Sequence, residues 1–552
     1  MRNFCRFAIG AALPGVLLAT VLLVGSASAQ DGQRPITARA EAYELSIPVS
    51  DVLPSLGMDV VPDHPRINPL AHEPDRGERG TWTRAYPPID PLAALSQNAL
   101  APSPPLDLRF NGVRNPFACG GCSPPDTNGD VGRRHYIQIV NATKVAIFDK
   151  TGTLLKQPFD LGSLWPSGLC AANAGDPIVL FDEIANRWLL SQFAFPQHLC
   201  FAVSTTPNPL GAYHLYTFDV GEFPDYFKVG VWPNGYYVSG NESTYTAYAF
   251  DRTKMLAGDN TASFIKFTGE TNFLMPADVD GSRLPSGGGL FYTFKDDAFH
   301  GGQDRLELFR LTPNFATGTG TFDRIKRFPV TPFTYTVCGF FNFDCIPQMD
   351  TGQKVDAVSE WPMWRFPYRR FGTHQALVGN FTVGGGTGEA GAAIRWFELR
   401  NTGSGWTLFQ EGTLDLDDGN DRFMGSIAMD KQGNIALGYS VSSSSLFPSI
   451  RYATRSSADA LGAMGSEMAL MIPSTWDADE APNEALGTFG EERTLRKGRG
   501  SQTGSNRWGD YSAMTVDPTT DCQFWYTNEF YNPSSESNWK TAVGAFTVPS
   551  CD

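Results

Sequence analysis

A short pattern recurs along this chain about seven times, at intervals of roughly 50 to 85 residues. Each copy opens on an acidic or small polar residue, continues as an apolar strand, turns at Gly, Asn or Pro, and resumes as an aromatic-rich strand. The clearest copies are DPIVLF (176–181) with RWLLS (187–191), DYFKVGVWPNG (225–235) with YYVSG (236–240), and GDYSAMTVDP (509–518) with QFWYT (523–527). Units this small cannot bury their own apolar faces, so the pattern predicts stacked sheets arranged as a β-propeller.

The β pattern runs from residue 106 to residue 551, with no amphipathic helix longer than two turns. Four strands per blade predict an all-β, seven-bladed β-propeller, with the innermost strand of the fifth blade beginning near Lys354. By this count the last blade has only three strands. The segment LDLRF (106–110) is a strand without a blade, so we predict that an N-terminal strand at about 106–111 pairs with the last blade and closes the ring.

The N-terminal region predicts export. Arg2 and Arg6 precede an apolar stretch at 8–24, and Ala27-Ser28-Ala29 forms a cleavage site, which together are typical of a signal peptide at 1–29. No cysteine stands at that site to carry a lipid, so we expect a secreted or periplasmic protein. Residues 30–104 are Pro-rich and predict an irregular leader that either packs on the propeller or is disordered, leaving 105–552 as the propeller domain.

Charge and missing motifs exclude several classes of function. The formal net charge is −15, and no basic run is interleaved with aromatics, so nucleic acid is not an expected partner. There is no Walker loop, HExxH motif or GxSxG elbow, so we expect no nucleotide or haem cofactor and no zinc or serine hydrolase. Beyond the signal, no apolar run is long enough to span a membrane. We expect a monomer.

The cysteine count favours disulfide bonds. Of nine cysteines, Cys5 lies in the signal, and eight in an exported chain suit four bridges. The close pairs predict these bridges: Cys119–Cys122, Cys170–Cys200, Cys338–Cys345 and Cys522–Cys551. A redox or zinc motif is the alternative for Cys119 and Cys122.

Several long runs resemble a family of uncharacterised secreted bacterial β-propeller proteins. These runs include PPDTNGDVG (124–132), GDPIVLFD (175–182), MGSIAMD (424–430) and RWGDYS (507–512). The resemblance covers about 106–551 and implies the fold and export. It implies no catalytic residues.

One loop has the spacing of a calcium site. Asp126, Asn128 and Asp130 offer oxygen ligands at positions 1, 3 and 5 of a calcium loop, although the Gly stands at position 7 instead of 6 and position 12 is Ile137 instead of Glu. The sequence therefore predicts a possible Ca²⁺ site. The alternative is a network of Asx turns that caps the first strand.

Aspartates recur where the predicted innermost strands begin, and their side chains are expected to converge at one mouth of the propeller axis. Such a ring favours a raised carboxyl pKa or a bound cation, whereas the alternative is hydrogen bonding to backbone N–H groups of neighbouring blades. The candidate catalytic residues are Asp176, Asp225, Asp278, Asp356 and Asp510. We expect Arg507, His374, Arg369, Arg370 and Trp508 to share that mouth and bind an anionic or stacked sugar.

Two functions from different classes follow. The first is an exported propeller that binds an extracellular glycan or protein as a scaffold module, with calcium stabilising its loops. The second is a carbohydrate-active enzyme, either a glycoside hydrolase or a polysaccharide lyase, that uses axial carboxylates. A metal-dependent lactonase or phosphatase-like propeller is a third interpretation. Fold alone does not discriminate among them.

Overall fold

The computed structural model describes residues 34–54, 90–93, 102–115, 122–270, 272–338, 344–470 and 499–551. The chain divides into two compact units, Met1–Arg34 and Pro35–Asp552, and all elements below belong to the second. The predicted signal peptide and Cys119 lie outside the described residues. Among the residues described, no helix is both long and apolar enough to cross a membrane.

Three strands precede the repeated units. They are β1 (Ile36–Arg39), β2 (Ala42–Leu45) and β3 (Leu108–Arg114). A 3-10 turn at Val49–Asp51 follows β2.

The repeated units are four-stranded antiparallel meanders. The first comprises β4 (Asn128–Val131), β5 (His135–Val140), β6 (Lys144–Asp149) and β7 (Leu154–Asp160). The second comprises β8 (Gly175–Asp182), β9 (Arg187–Ala194), β10 (His198–Ser204) and β11 (Tyr213–Asp219). The third comprises β12 (Asp225–Trp232), β13 (Gly235–Asn241), β14 (Tyr245–Phe250) and β15 (Ser263–Glu270). Short 3-10 turns at Leu161–Leu164 and Leu169–Ala171 link the first two.

Four further units complete the described chain. The fourth comprises β16 (Met275–Asp280), β17 (Gly289–Lys295), β18 (Arg305–Asn314) and β19 (Thr319–Pro329), and the fifth comprises β20 (Phe366–Arg370), β21 (Gln375–Val383), β22 (Ala393–Asn401) and β23 (Trp406–Leu414). The sixth comprises β24 (Asp421–Met429), β25 (Ile435–Ser443), β26 (Leu446–Arg455) and β27 (Met468–Ala469). The seventh comprises β28 (Ala513–Val516), β29 (Gln523–Tyr531) and β30 (Trp539–Thr547), together with β3. A last 3-10 turn covers Pro549–Cys551.

Two short helices interrupt the described strands. The helix α1 (Arg252–Ala257) begins after Asp251, whose side chain accepts a hydrogen bond from the backbone N–H of Lys254, and it ends at Gly258, which has φ +69°. Asp296 caps α2 (Asp297–His300) in the same way. Asp is favoured at the N-cap because its oxygen satisfies an otherwise unpaired N–H group.

The first strands of the units form a closed ring. Each contacts its neighbour, in the order β4, β8, β12, β16, β20, β24 and β28, and β28 returns to β4. These innermost strands are almost wholly buried, whereas the outermost strands alternate buried and exposed residues. The predicted all-β propeller is therefore confirmed, because stacking of small sheets around an axis buries every inner face.

The N-terminal strand closes the ring as predicted. The strand β3 pairs antiparallel with β30, and Phe110 lies opposite Val543 in that register. Phe110 also packs against Phe148 and Trp525, which belong to the first and last units. The pairing removes two exposed sheet edges that an open ring would leave.

The fifth unit differs from the sequence prediction. Its innermost strand is β20 rather than a strand near Lys354, and β20 pairs in parallel with β16, so the fourth and fifth units share one eight-stranded sheet. The prediction was wrong because Val355 forms only an isolated bridge with Ile346 and the N–H of Asp356 bonds to Asn506, so the segment joins no sheet of the ring. Pro367 is tolerated because it stands second in the strand, near the end where fewer ladder bonds form.

The leader packs on the propeller where it is described. The strand β1 pairs with β15 and β2 with β11, so each adds a fifth strand to a unit. Farther along, the carboxylate of Asp90 accepts a hydrogen bond from Arg395 Nη2 at 2.6 Å, and both side chains are buried. The leader thus covers sheet edges and provides a partner for a buried cation.

The disulfide prediction is confirmed for three bridges, which join Cys170 to Cys200, Cys338 to Cys345 and Cys522 to Cys551. Cys122 is also disulfide-bonded. Its predicted partner, Cys119, lies outside the described residues.

Candidate functional site

The two ends of the propeller axis carry different side chains. Asp225 begins β12 and Asp176 is the second residue of β8, so both mark the end where the innermost strands start. Glu183 directly follows β8 and Gly281 directly follows β16, so both mark the opposite end. The sequence prediction concerned only the first of these ends.

The first end, which we call the acidic end, gathers four of the five predicted aspartates around Arg507. These residues are Asp176, Asp225, Asp356 and Asp510, and Asp126 joins them. Arg507 Nη2 lies 2.5 Å from both carboxylate oxygens of Asp510. This charge-assisted contact is stronger than a hydrogen bond between neutral groups.

Backbone geometry aims several of these side chains. Asp126, Asp176 and Tyr226 have φ values of 43°, 48° and 50°, in the left-handed region that side-chain-bearing residues rarely adopt. Bulges interrupt the pairing at the same place, as between Asp225 and Lys228 in β12. Left-handed residues store backbone strain, and such strain concentrates where a side chain must be held in a set direction.

A buried lysine partly neutralises the acidic end. Lys228 Nζ donates to the carbonyl oxygens of Tyr226 and Phe227, at 3.0 and 3.2 Å, and lies 3.3 Å from the ring centroid of Tyr226 and 4.2 Å from that of Tyr511. Burial lowers the pKa of Lys228 to about 8, although Asp176 favours its charged form. Carboxyl groups still outnumber the two cations here, Lys228 and Arg507.

Burial raises the pKa values of several carboxyl groups at this end. It raises the pKa of Asp176 to about 6, of Asp356 to about 7, and of Glu360 and Glu529 to about 8. Burial and Asp176 also raise the pKa of Asp225, whose Oδ2 has no hydrogen-bond partner among the described residues. Buried carboxyl groups with raised pKa values are candidates for general-acid chemistry.

Many acidic-end groups also hold neighbouring blades in register. Asp176 Oδ2 accepts a hydrogen bond from the backbone N–H of Tyr226 at 3.1 Å, and Asp126 Oδ1 accepts from that of Asp510 at 3.0 Å. This is the alternative that the sequence left open for the axial aspartates. The arrangement links strands of adjacent units.

The three residues predicted to bind calcium engage different partners. Asn128 Oδ1 accepts from the N–H of Val179 at 3.0 Å, and Asp130 Oδ2 from that of Phe181 at 2.7 Å. Asp126 accepts from the side chain of Asn141 as well as from Asp510. In the described part of the chain, the group with oxygens close enough to hold one ion is Asp296, Asp297 and Asp304. Calcium at Asp126, Asn128 and Asp130 stays a prediction.

That prediction has a direct test. If Ca²⁺ binds the folded protein, removing it with a chelator should lower the melting temperature, because an ion bound only to the native state stabilises it by mass action. The measurement is a thermal melt of one preparation with added Ca²⁺ and with excess chelator. Equal melting temperatures with added Ca²⁺ and with excess chelator would show that calcium does not stabilise the folded protein.

Asp278 does not reach the acidic end, which corrects the sequence expectation. It lies in the second half of β16, where Oδ1 accepts from the N–H of Val231 at 2.8 Å and Oδ2 accepts from Arg365 Nε at 2.8 Å. Arg365 also donates to Asp280. All three side chains are buried. Because Asp278 lies away from the start of its strand, it pairs with the buried Arg365 and not with the groups of the acidic end.

The predicted ligand-binding residues divide between the two ends. Only Arg507 lies at the acidic end, because Arg369 and Arg370 occur at the far end of β20 and His374 follows them. Trp508 is buried, and its Nε1 donates to Ser440 Oγ at 3.0 Å. The expectation of one shared mouth is therefore wrong, and Trp508 packs in the core between Phe423 and Tyr531.

The second end contains a cavity of about 350 Å³, which we call the axial hollow. It is lined by Arg133, Glu183, Ile184, Gly281, Ser282, Leu284, Pro518 and Asp521. These residues follow the ends of the innermost strands β4, β8, β16 and β28.

Two carboxyl groups of the axial hollow meet one buried guanidinium. Arg369 Nη1 donates to Asp521 Oδ1 at 2.6 Å, and a Cβ atom on Gly281 would lie 2.8 Å from the same nitrogen, so glycine permits the close approach. Glu183 Oε2 accepts from the N–H of Gly281 at 3.1 Å. Arg369 Nη2, which is buried, has no partner among the described residues.

The same charged groups, Arg369 and Asp280, act on both carboxyl groups, but Asp521 also accepts a hydrogen bond from Arg369. Burial, with the nearby Asp280 carboxylate, raises the pKa of Glu183 well above its usual range. Burial also raises the pKa of Asp521, but Arg369 opposes that rise. The hollow therefore holds two neighbouring carboxyl groups whose pKa values are raised by burial, one of which is ion-paired with Arg369.

Sequence reasoning missed Glu183, Asp521, Arg365 and Lys228. Glu183 had a visible signal, because it follows the predicted strand DPIVLFD directly. Asp521 had none, since its approach to Arg369 joins residues separated by 152 positions. Polar residues that directly follow the predicted innermost strands therefore identify Glu183, but they do not identify Asp521.

Known proteins resemble this chain in fold only. No protein-family model matches, and no curated protein matches. Among solved structures, the WD40 domain of SCAP from fission yeast aligns with 79% of this chain and 97% of its own, at 9% identity and a TM-score of 0.34. An α-L-arabinofuranosidase from Lactobacillus brevis aligns with 67% and 90%, at 9% identity and a TM-score of 0.27. An endo-arabinanase from Bacillus licheniformis aligns with 62% of this chain and 97% of its own, at 11% identity and a TM-score of 0.24.

These similarities are too low to transfer an activity. The architecture of the chain is an all-β propeller closed by its own N-terminal strand.

Proposed function

We propose that this chain is an exported β-propeller that binds a glycan in the axial hollow. The observation that carries the proposal is the pairing, in one cavity, of the raised-pKa Glu183 with the arginine-paired Asp521. A sugar presents hydroxyl groups that both donate and accept hydrogen bonds, so it suits a neighbouring donor and acceptor.

The walls and size of the hollow support the same ligand. Ile184, Leu284 and Pro518 supply apolar surface to the same cavity, which suits the C–H face of a sugar ring. A volume of about 350 Å³ lies within the usual range for small-ligand pockets. A folded protein partner would not enter such a cavity, so the glycan is favoured over a protein.

The carboxyl pair also favours a second candidate, glycoside hydrolysis. Glu183 Oε2 lies 3.1 Å from Gly281 N, and a Cβ atom on Gly281 would lie 3.5 Å from Asp521 Oδ2. Adding about 2.5 Å between N and Cβ of one residue puts the two oxygens at most about 9 Å apart. Glycosidases separate their two carboxyl groups by roughly 5 to 9.5 Å, with one as acid and the other as base or nucleophile, so this bound is compatible with such a pair.

The test is glycan binding by three variants, measured on a glycan array and then by calorimetry. Glu183→Ala and Asp521→Asn should each weaken binding about tenfold or more, because the first removes the carboxyl group that bonds the sugar and the second removes the charge on its hydrogen-bond acceptor. Asp323→Asn, on the exposed face of β19, is the matched control and should bind normally. Normal binding by both hollow variants would overturn the proposal.

A further variant, Glu183→Gln, separates binding from catalysis. A degradation screen on the glycans that bind shows whether product forms. If the protein is a hydrolase, Glu183→Gln should abolish product while leaving measurable binding, since the general acid acts in the transition state. A wild-type protein that binds glycans and releases no product is a binding module.

A further inference from the structure

A second cavity lies beside the axial hollow, and we call it the basic pocket. Its volume is about 530 Å³, and it is formed by three loops of neighbouring units. The residues that line it are Arg283, Leu284, Arg370, Phe371, Gly372, Thr373, His374, Gln375, Asn401, Thr402 and Gly403. Leu284 lines both cavities, so the two are contiguous at that residue.

The charge of this pocket is opposite to that of the whole chain. Two arginines line it, and among the described residues no Asp or Glu does, although the chain has a net charge of −15. Arg370 Nη1 donates to the carbonyl oxygen of Leu284 at 3.1 Å. That bond orients the guanidinium and uses one of its five N–H groups, so the fork that recognises carboxylate or sulfate stays available to a ligand.

His374 adds a neutral polar group to the pocket. Its ring stacks on Phe371, with centroids 4.6 Å apart, and its Nδ1 lies 3.0 Å from Thr373 Oγ1. The other nitrogen, Nε2, has no partner among the described residues. Burial, with the nearby Arg400, lowers the pKa of His374, so the ring is neutral at pH 7 and donates or accepts one hydrogen bond.

We propose that the basic pocket binds the anionic substituent, a carboxylate or a sulfate, of an acidic glycan whose neighbouring sugar occupies the axial hollow. This inference rests on the proposed glycan function and names its ligand class. Arg283 and Arg370 pair with the anion, and His374 binds an adjacent hydroxyl group. A neutral glycan would leave both arginines without that partner, so the pocket provides selectivity.

The experiment compares three oligosaccharide probes of equal length by calorimetry. They are an oligogalacturonate, its carboxyl-reduced neutral form and a sulfated oligosaccharide. The wild-type protein should bind at least one acidic probe at least about tenfold more tightly than the neutral form, and added salt should weaken that preference. The preferred acidic probe distinguishes carboxylate from sulfate.

Variants of the two pocket arginines test whether the basic pocket causes the preference for acidic probes. The double variant Arg283→Gln with Arg370→Gln should lose the preference for acidic probes and keep the affinity for the neutral form. Arg370→Lys alone should keep part of the preference, because it keeps the charge without the planar fork. Arg39→Gln, an exposed arginine on β1, is the control and should change nothing.

The outcomes are distinguishable. Equal affinity for acidic and neutral probes, or an unchanged preference in the double variant, overturns this inference and leaves the glycan function standing. Failure of all three probes to bind, with Asp521→Asn behaving as the wild type on a full glycan array, overturns both. Thermal melts of every variant establish that loss of binding is not loss of folding.

Discussion

Replacing Arg365 by methionine should destabilise the protein by about 3–5 kcal/mol, the usual cost of removing one partner of a buried ion pair. Arg365 is buried and donates to Asp278 at 2.8 Å through Nε and to Asp280 at 2.8 Å through Nη2. It also lowers the pKa of Asp130, which burial raises to about 7. Without the guanidinium, these carboxyl groups would remain in the interior with no cation. Urea unfolding followed by circular dichroism measures the loss.

A surface pair provides the matched control. Arg327 lies 3.0 Å from Glu307, but its side chain is 55% exposed, so Arg327→Met should cost less than about 1 kcal/mol. Adding Asp278→Asn and Asp280→Asn to Arg365→Met should restore part of the lost stability, because the buried charges are then gone. If Arg365→Met lowered the free energy of unfolding no more than Arg327→Met does, the ion pair of Arg365 with Asp278 would not be a main source of stability.

Raising the pH from about 4 to 8 should lower the free energy of unfolding by several kcal/mol. Burial raises the pKa of Asp356 to about 7 and of Glu360 and Glu529 to about 8. Below pH 4 these groups are protonated in both states, so their contribution is fully present. Between pH 4 and 8 only the unfolded chain loses the protons, so stability is lost at up to about 1.4 kcal/mol per pKa unit for each group.

Glu529 is the best position at which to test this pH dependence. Its Oε1 accepts from the N–H of Gly509 at 2.7 Å, so Glu529→Gln keeps that bond and removes the titrating proton. Urea unfolding at pH 5 and pH 8 should show a smaller difference for Glu529→Gln than for the wild type. Glu536→Gln, at an exposed glutamate, should keep the full difference. The window ends near pH 8, where Lys228 begins to contribute with the opposite sign.

The sequence predicted the parts of the fold that depend on local pattern. Alternating strands, Gly and Asn turns and the repeated unit indicated a propeller, and a strand without a blade at 106–110 indicated the closure by β3 and β30. The close pairs Cys170 and Cys200, and Cys522 and Cys551, also follow from spacing. The exception was β20, because its parallel pairing with β16 joins segments that are distant in the chain.

The candidate site was only half predictable. Asp176, Asp225 and Asp510 converge as expected, because each occurs near the start of an innermost strand and the ring places those starts together. Asp278 occurs too late in its strand to join them, and it pairs with Arg365 instead. Spacing within one repeat identifies a strand, but it does not specify the depth along the axis at which a side chain lies.

By itself, then, the sequence determined the kind of sheet, the repetition and the closing strand, since neighbouring residues and short turns encode these features. Tertiary structure alone decided which charges meet, as in the contact of Asp521 with Arg369 and the separation of Arg507 from Arg370. The reason is that the ring joins segments hundreds of residues apart. The balance of burial against charge pairing in those contacts depends on distances that no local pattern records.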